Sequence, residues 1–205
     1  MRSISLTGPL DWGKTAIPGG TPEVDICRLR VDPVTKASTS LVRFPAGWSR
    51  SADVFYAVDE EIVILDGELL VSGVSYTEGQ YGFIPAGSLR RASATPDGCL
   101  ALAHFAGIPA AMSMENAAET EVGPTIRLDL GTHHAGTTSG PFGVGQRLRS
   151  RDYGDCWLVS GATSLASMTG ATEALSIDNA WMWIDLTSDG DVLADATESG
   201  RYLVR

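Results

Sequence analysis

Two neighbouring stretches decide the fold of this chain: DEEIVILDGEL at residues 59–69 and EGQYGFIPAG at residues 78–87. In the first stretch an apolar run ends at a turn glycine, which predicts a buried strand that enters a hairpin. In the second stretch a glycine turn, a short apolar strand and a Pro-x-Gly corner follow one another. The surrounding residues 43–105 are therefore predicted to form one β-rich unit.

The glycines, the proline and one acidic residue of these stretches match the two signature motifs of the cupin family. Glu60 precedes Gly67 by seven positions, as the first motif requires. Gly79, Pro85 and Gly87 follow the spacing of the second motif. The chain thus resembles a cupin most strongly over residues 41–106, and the resemblance implies a jelly-roll β-barrel around a small cavity.

Other residues occupy the positions at which metal-dependent cupins carry their histidine ligands. Arg90 stands in the histidine slot of the second motif. Val54 and Tyr56 stand in the His-x-His slots of the first motif, or Asp53 and Phe55 do if the spacing shifts by one. Valine has no donor atom and arginine is a permanent cation, so neither binds a metal ion. We therefore expect a barrel that holds no metal and no other cofactor.

Composition limits the partners of the chain. Its 205 residues carry a net charge of −10, which disfavours nucleic acid and anionic membranes and leaves a small-molecule substrate or ligand. The N-terminal residues lack the apolar core of a signal peptide, and no stretch reaches the length of a transmembrane helix. We therefore expect a cytoplasmic protein. The three cysteines form no C-x-x-C pair and are predicted to be buried thiols.

Short apolar segments separated by turns predict a sandwich or barrel. We assign residues 1–106 to a cupin-like barrel, with a strand over residues 88–94. Residues 107–123 are predicted to be a linker with one short helix, because residues 110–119 contain good helix formers. Residues 124–205 are predicted to be a degenerate, truncated second cupin-like repeat packed on the first.

Four short matches suggest that the chain repeats itself with an offset of 117–121 residues. The matched segments are residues 10–13 with 128–131, 27–30 with 146–149, 41–42 with 158–159, and 78–84 with 198–204. The second copy has no Pro-x-Gly corner after Gly200 and ends at Arg205, before the strand of the third ligand slot. We expect its barrel to be incomplete, or completed by the N-terminal arm, the linker or a second subunit in a homodimer.

Glu60, Tyr56 and Arg90 are the candidate catalytic residues. An arginine on the inner wall of an apolar barrel needs an anion, because an unpaired buried charge is very costly. Arg90 is therefore either half of a structural ion pair with Glu60, or a guanidinium that binds a substrate carboxylate, phenolate or enolate. In the second case Glu60 is the general acid or base and Tyr56 donates to a developing oxyanion. Arg91 is expected to face solvent.

The candidate substrate-binding residues are Trp48, Val54, Tyr81, Phe83 and His104. His104 enters the cavity if the face of its strand that carries Leu100 and Leu102 points inward. A histidine that only packs in the core is an equally good interpretation. His133 and His134 adjoin in a Gly/Thr loop and are expected to be solvated.

Three functions fit these residues. The first is a metal-independent enzyme of the lyase or isomerase type, performing isomerisation, cyclisation, elimination or hydration on a small oxygenated organic molecule. The second is a non-catalytic ligand-binding or regulatory cupin of the sensor type. The third is a metal-dependent dioxygenase with atypical ligands such as His104 and Glu60. Duplicated cupins include carbon–carbon-cleaving dioxygenases and sensor domains of zinc-dependent anti-sigma factors, so the resemblance does not choose among them.

Overall fold

The computed structural model describes residues 2–113, 125–132, 138–140, 143–152, 154–160, 170–178, 181–187 and 200–205. The chain divides into two compact units. The first unit is Asp11–Gly131, and the second unit combines Met1–Leu10 with Thr132–Arg205. Every regular element of the described residues is a β-strand, so the predicted all-β class is confirmed.

The strands of the first unit are β2 (Gly13–Thr15), β3 (Gly20–Thr21), β4 (Val24–Val31), β5 (Ser38–Phe44), β6 (Trp48–Arg50), β7 (Phe55–Tyr56), β8 (Glu60–Val71), β9 (Val74–Thr77), β10 (Gln80–Ile84), β11 (Ser93–Thr95), β12 (Cys99–Phe105), β13 (Ala111–Met112) and β14 (Ile126–Asp129). The strands of the second unit are β1 (Arg2–Ser5), β15 (Thr138–Gly140), β16 (Gly143–Arg151), β17 (Gly154–Ser160), β18 (Glu173–Ser176), β19 (Met182–Asp185) and β20 (Arg201–Val204).

An eleven-stranded sheet forms most of the first unit and curls into the predicted jelly roll. Seven of its strands follow the order β14-β10-β8-β12-β5-β4-β2, and β9, β11, β6 and β3 extend the sheet from the far half of β8. The interior is apolar: Val42, Trp48, Ile62, Ile64 and Ala101 pack together there and are each less than 9% exposed. Burial of this kind, at about 25 cal/mol per Å² of apolar surface, is what holds such a barrel closed.

Strand β8 joins the two parts of this sheet at the motif glycine Gly67. Its first half pairs with β10 and β12, and its second half pairs with β9 and β11. The φ angle of Gly67 is +76°, in the left-handed region that favours glycine. A Cβ atom at this position would also collide with the carbonyl oxygen of Gly98. The motif therefore needs glycine here both for its backbone conformation and for the close approach of the neighbouring chain.

The second unit is a seven-stranded sheet in the order β1-β19-β18-β20-β17-β16-β15, which repeats the seven-strand order of the first unit position by position. The registers agree as well. Gln146 lies opposite Leu158 in the pair β16–β17, and Cys27 lies opposite Leu41 in the pair β4–β5. A β-bulge interrupts each pair one residue further along β4 and β16. The matched segments 27–30 with 146–149 and 41–42 with 158–159 thus occupy equivalent places.

Strand β20 takes the place of β12, not that of β10. Leu203 lies opposite Leu158 on β17, as Leu102 lies opposite Leu41 on β5. The predicted match of residues 78–84 with 198–204 is therefore wrong. Short runs of alternating apolar residues recur in most strands of a β protein, so they do not identify equivalent strands.

The edge strands β1 and β14 are equivalent to each other. Ile4 of β1 lies opposite Trp183, and Leu128 of β14 lies opposite Tyr81. The predicted match of residues 10–13 with 128–131 is therefore wrong, and the N-terminal arm supplies an edge strand of the second unit. The two units consequently differ from the predicted ranges 1–106 and 124–205, because hydrogen bonding to a sheet, and not order in the chain, decides where an edge strand belongs.

Two predicted elements differ from the elements that the structure contains. The predicted strand at residues 88–94 is reduced to β11 and an isolated bridge between Val54 and Arg90. Part of the predicted helix, Ala111–Met112, is instead β13, which pairs with β7. The remainder of that helix beyond residue 113, and both His133 and His134, lie outside the described residues. The described part of the chain contains no helix with the length and apolarity that a membrane span requires.

Candidate functional site

A cavity of about 260 Å³ lies inside the first unit. Apolar side chains such as Val42, Ile62 and Leu69 form much of its wall. The polar side chains that reach it include Arg50, Tyr56, Glu60, Arg90 and Ser93. An apolar cavity with a few convergent polar groups is the usual form of a small-molecule site.

Arg90 and Glu60 form an ion pair in the wall of this cavity. Arg90 donates to Oε2 of Glu60 from Nη2 at 2.7 Å and from Nε at 3.2 Å. The side chain of Arg90 is 2% exposed and that of Glu60 is 13% exposed. Backbone hydrogen bonds of 2.8 and 3.2 Å to Val54 hold Arg90 in place. The predicted partner of Arg90 is thus present, and neither charge is buried alone.

The two oxygens of the Glu60 carboxylate have different surroundings. Nε and Nη2 of Arg90 both donate to Oε2, while Nη1 donates to the carbonyl oxygen of Ser88. Oε1 accepts no hydrogen bond from any residue that the structure describes. The carboxylate can therefore be held through one oxygen while the other is offered to a ligand in the cavity.

Tyr56 lies between two arginines. The guanidinium of Arg90 lies 4.4 Å from the centre of the Tyr56 ring, within the range of a cation–π contact. Nη1 of Arg50 donates to the Tyr56 hydroxyl at 3.0 Å. The ring of Phe105 packs edge-on against Tyr56 with centroids 5.6 Å apart. Because the hydroxyl accepts from Arg50, its own proton can be donated to a ligand.

Arg50 is a polar group of this cavity that the sequence interpretation missed. It is 4% exposed and lines the cavity from β6. Its second contact is from Nη2 to the hydroxyl of Ser93 at 3.2 Å. The sequence does contain a pattern that indicates Arg50. Trp48 is a predicted cavity residue, and the side chain two positions further along a strand faces the same side. The burial pattern of β6, with Ser49 exposed between two buried residues, follows that alternation.

Of the predicted substrate-binding residues, Trp48 lines the cavity, whereas Val54, Tyr81, Phe83 and His104 are absent from its described lining. Val54 contributes its backbone bridge to Arg90. The hydroxyl of Tyr81 donates to the buried carboxylate of Glu61 at 3.1 Å, on the other face of β8 from Glu60. These residues support the walls of the barrel.

His104 lies on the outward face of β12, so the expectation that it enters the cavity is not met. Ala103 and Phe105, its neighbours in the chain, line the cavity, and successive residues of a strand point to opposite sides. Nδ1 of His104 lies 2.9 Å from the hydroxyl of Thr39 on the adjacent strand β5. Its position is that of a hydrogen-bonded histidine in the barrel wall.

The donor set of the cavity does not fit a metal ion. Among the described residues no group of three or more His, Cys, Asp or Glu side chains is placed to hold one. The one carboxylate among the described residues that line the cavity, Glu60, is already paired with Arg90. A cation placed there would also lie beside two buried guanidinium groups, which would repel it.

Burial keeps two further groups of the barrel protonated. The pKa of Tyr76 is raised above its ordinary value, chiefly by burial and also by the charge of Glu60. Burial raises the pKa of the Cys99 thiol to about 12, with a contribution from Asp66. Neither group is a base near neutral pH. Cys27, Cys99 and Cys156 are all buried thiols that form no disulfide, as predicted.

Comparison with known proteins agrees with this architecture. Residues 7–107 match the profile of the ChrR cupin-like domain family. A candidate dioxygenase from Nostoc punctiforme PCC 73102 has the same fold over the whole chain: the alignment covers 100% of this chain and 81% of that one, with 16% identity and a TM-score of 0.70. No curated protein matches the sequence.

Two further solved structures align over about half of the chain. An acetylacetone dioxygenase from Acinetobacter johnsonii aligns over 52% of this chain and 81% of its own, with 19% identity and a TM-score of 0.43. A chain of the complex between Rhodobacter sphaeroides SigE and the anti-sigma ChrR aligns over 48% of this chain and 51% of its own, with 15% identity and a TM-score of 0.39. Similarity at this level concerns the fold and carries no activity with it.

Proposed function

Because this chain has the cupin fold, with a match to the ChrR cupin-like domain at residues 7–107, we propose that it is an enzyme that performs metal-independent acid–base chemistry on a small oxygenated organic molecule inside the barrel. One observation carries the proposal. Glu60 is held through Oε2 by Arg90, while Oε1 accepts no hydrogen bond from the described residues and the side chain lines the cavity. A general base needs this combination of fixed position and an available oxygen.

The roles of the three candidate residues follow from their positions. Glu60 takes a proton from a carbon next to an oxygenated carbon of the ligand, or returns one to it. Tyr56 and Arg90 stabilise the negative charge that then develops on the ligand oxygen, as fixed donors do in a water-poor site. A placed general base contributes about 10²–10⁴ in rate, and one oxyanion donor contributes about 10²–10³. Isomerisation, cyclisation, elimination and hydration all use such a proton transfer.

Proton exchange with solvent tests this step before the substrate is known. The protein is incubated in deuterated water with a panel of enolisable ketones and of 2-oxo and 3-oxo carboxylates. Loss of the exchangeable C–H signal is followed by proton NMR. We expect the wild-type protein to accelerate exchange in at least one probe and Glu60→Gln to reduce that rate by about 100-fold or more.

The matched control is Asp66→Asn, which removes an exposed carboxylate from the same strand β8. This variant is expected to exchange at the wild-type rate. Full exchange activity in Glu60→Gln, with its fold checked by near-UV circular dichroism, would sink the proposal, and so would a wild-type protein that accelerates exchange in none of the probes.

A second function, a non-catalytic ligand-binding cupin, is favoured by the family match. The matching family is named after ChrR, and one solved structure that aligns with the chain contains the anti-sigma ChrR. In this role Arg90 and Arg50 would hold an anionic ligand without turnover. Saturable ligand binding without any proton exchange would support this function over the first.

We also propose that the two units arose by tandem duplication of one ancestral unit. The support is the shared seven-strand order and the shared position of the bulge in β4 and β16. Trp183 stands where Tyr81 stands, and it donates to the buried Glu173 at 2.8 Å as Tyr81 donates to Glu61. Equivalent polar contacts at equivalent sheet positions are more specific than apolar alternation. A cytoplasmic location and a homodimer stay predictions.

A further inference from the structure

Apart from the exposed Arg28, the side chains that line the cavity of the first unit carry one more positive charge than negative charge. Among the described residues that line it, Arg50 and Arg90 are buried cations and Glu60 is the carboxylate. Arg90 is neutralised by its ion pair with Glu60. The remaining buried positive charge belongs to Arg50.

Arg50 has neutral hydrogen-bond partners and no carboxylate partner among the residues that the structure describes. Its Nη1 contacts the Tyr56 hydroxyl and its Nη2 contacts the Ser93 hydroxyl. Its Nε is buried and donates to no described residue. Guanidinium groups stay charged at all accessible pH values, so burial does not neutralise the group. A charge with an open donor in an apolar cavity is stabilised when an anion enters.

The charge and the planar shape of the guanidinium of Arg50 favour a carboxylate as the anion that binds it. One uncompensated positive charge matches one monoanion. A planar carboxylate pairs with the planar guanidinium of Arg50, whose Nε is the open donor. Phosphate monoesters carry close to two negative charges at neutral pH, which is more than the one uncompensated buried charge of Arg50. The apolar wall around Val42, Ile62 and Leu69 suits a hydrocarbon or aromatic body attached to that carboxylate.

We propose that the ligand of the cavity is a small organic monocarboxylate whose carboxylate binds Arg50. The specific site is the open face of Arg50 next to Tyr56, while the Arg90–Glu60 pair meets the part of the ligand that reacts. The role of the Arg90–Glu60 pair rests on the proposed function. Carboxylate binding at Arg50 does not, because it needs no turnover.

The test compares charged probes with neutral probes of the same shape. Benzoate and phenylacetate, and their amides benzamide and phenylacetamide, are titrated into the protein by isothermal titration calorimetry at low ionic strength. We expect at least one carboxylate to bind about tenfold or more tightly than its amide. Equal affinity within each pair, or no binding of either carboxylate at millimolar concentration, would overturn the inference.

Variants then assign the binding to Arg50. Arg50→Met is expected to lose about tenfold or more in carboxylate affinity and to bind the amide as before. Arg50→Lys keeps the charge and should retain part of the affinity, which covers the case in which Arg50→Met fails to fold. Arg91→Met is the matched control, because Arg91 is 65% exposed and is not among the described residues that line the cavity. Unchanged carboxylate affinity in a folded Arg50 variant would contradict the inference.

Glu60→Gln separates the inference from the proposed function. Removal of the carboxylate charge should leave benzoate or phenylacetate binding intact or tighter, while proton exchange is lost. If Glu60→Gln still exchanges protons but Arg50→Met loses the carboxylate, the proposed function fails and the carboxylate site stands. If Glu60→Gln loses exchange but Arg50→Met binds carboxylate as the wild type does, the carboxylate site fails and the proposed function stands.

Discussion

Arg90 holds Glu60 through a single carboxylate oxygen, with both its Nη2 and its Nε directed at Oε2. A bidentate pair would have used both oxygens of the carboxylate and left none for a ligand. Because Arg90 contacts only Oε2, the ion pair compensates the buried charge of Glu60. The same geometry leaves Oε1 available for proton transfer.

The stability of this pair can be measured with a double-mutant cycle. Arg90→Met leaves the Glu60 charge buried without its partner, and we expect the free energy of unfolding to fall by about 3–5 kcal/mol. Adding Glu60→Gln to that variant should recover much of the loss, since no uncompensated charge remains. Urea unfolding followed by fluorescence gives the four values of the cycle.

The control for that cycle is the exposed pair of Arg91 and Asp53, at 3.5 Å. Arg91→Met should cost no more than about 1 kcal/mol, the usual range for surface pairs. An Arg90→Met variant that is as stable as Arg91→Met would mean that Glu60 is neutral or solvated in the folded protein.

The role of Tyr56 is tested by removing one oxygen atom. Tyr56→Phe keeps the ring between Arg50 and Arg90 but loses the hydroxyl that we assign to oxyanion stabilisation. We expect the proton-exchange rate to fall by about 10²–10³ with the fold retained. Tyr81→Phe is the comparison: its hydroxyl contacts Glu61 outside the cavity, so its exchange rate should be unchanged and its stability lower by about 1 kcal/mol. Equal exchange rates in the two variants would remove Tyr56 from the mechanism.

The glycine of the first motif is needed for the fold. Gly67→Ala meets both a positive φ angle and a collision with the backbone of Gly98. We expect it to cost about 2–3 kcal/mol or to prevent folding. Gly73→Ala has the same φ of 76° with no atom within 4 Å of the new Cβ, so about 1–2 kcal/mol is expected there. Thermal unfolding of both variants tests this order, and a Gly67→Ala variant more stable than Gly73→Ala would contradict it.

The raised pKa of Tyr76 predicts how the free energy of unfolding changes at alkaline pH. Burial raises its pKa in the folded protein above the ordinary value of 10.0, with a further contribution from the charge of Glu60. Its contribution to stability is fully present below pH 10.0. Above that pH the unfolded chain releases the phenol proton first, so the contribution is lost as pH rises through the folded-state pKa.

Tyr76→Phe has no proton to release and serves as the reference for that effect. The difference in unfolding free energy between the wild type and Tyr76→Phe should therefore decrease above pH 10.0. Urea unfolding between mildly and strongly alkaline pH measures it. Parallel stability curves over that range would show that Tyr76 is solvated in the folded state.

Much of the candidate site could be predicted because motif spacing is a covalent property of the chain. Glu60 and Arg90 occupy motif positions, and an arginine inside a barrel requires an anion, so the spacing and the charges together predict their pairing. Arg50 could not be found this way, since no motif includes it. Its burial depends on the neighbouring strands β3 and β11, which pair with β6 from distant parts of the sequence.

The comparison of the two units also shows what the sequence could and could not predict. The matches around Cys27 and Leu41 reflect real register, because a bulge and its flanking arginines mark the position. The match of residues 78–84 with 198–204 is wrong because a short run of apolar residues carries too little information to identify a strand. Only the hydrogen-bonded order of the sheet shows that β20 takes the place of β12.

The sequence alone determined the all-β class, since this depends on periodicity and turn residues along the chain, and its motif resemblance to cupins implied the jelly-roll barrel. The tertiary structure alone decided which side chains meet in the cavity. Every strand offers two faces, and the pairing register and bulges of its neighbours select the inward one. That selection turned His104 outward and brought Arg50 inward beside Tyr56. The cavity therefore has a positive charge that the motif alone did not reveal.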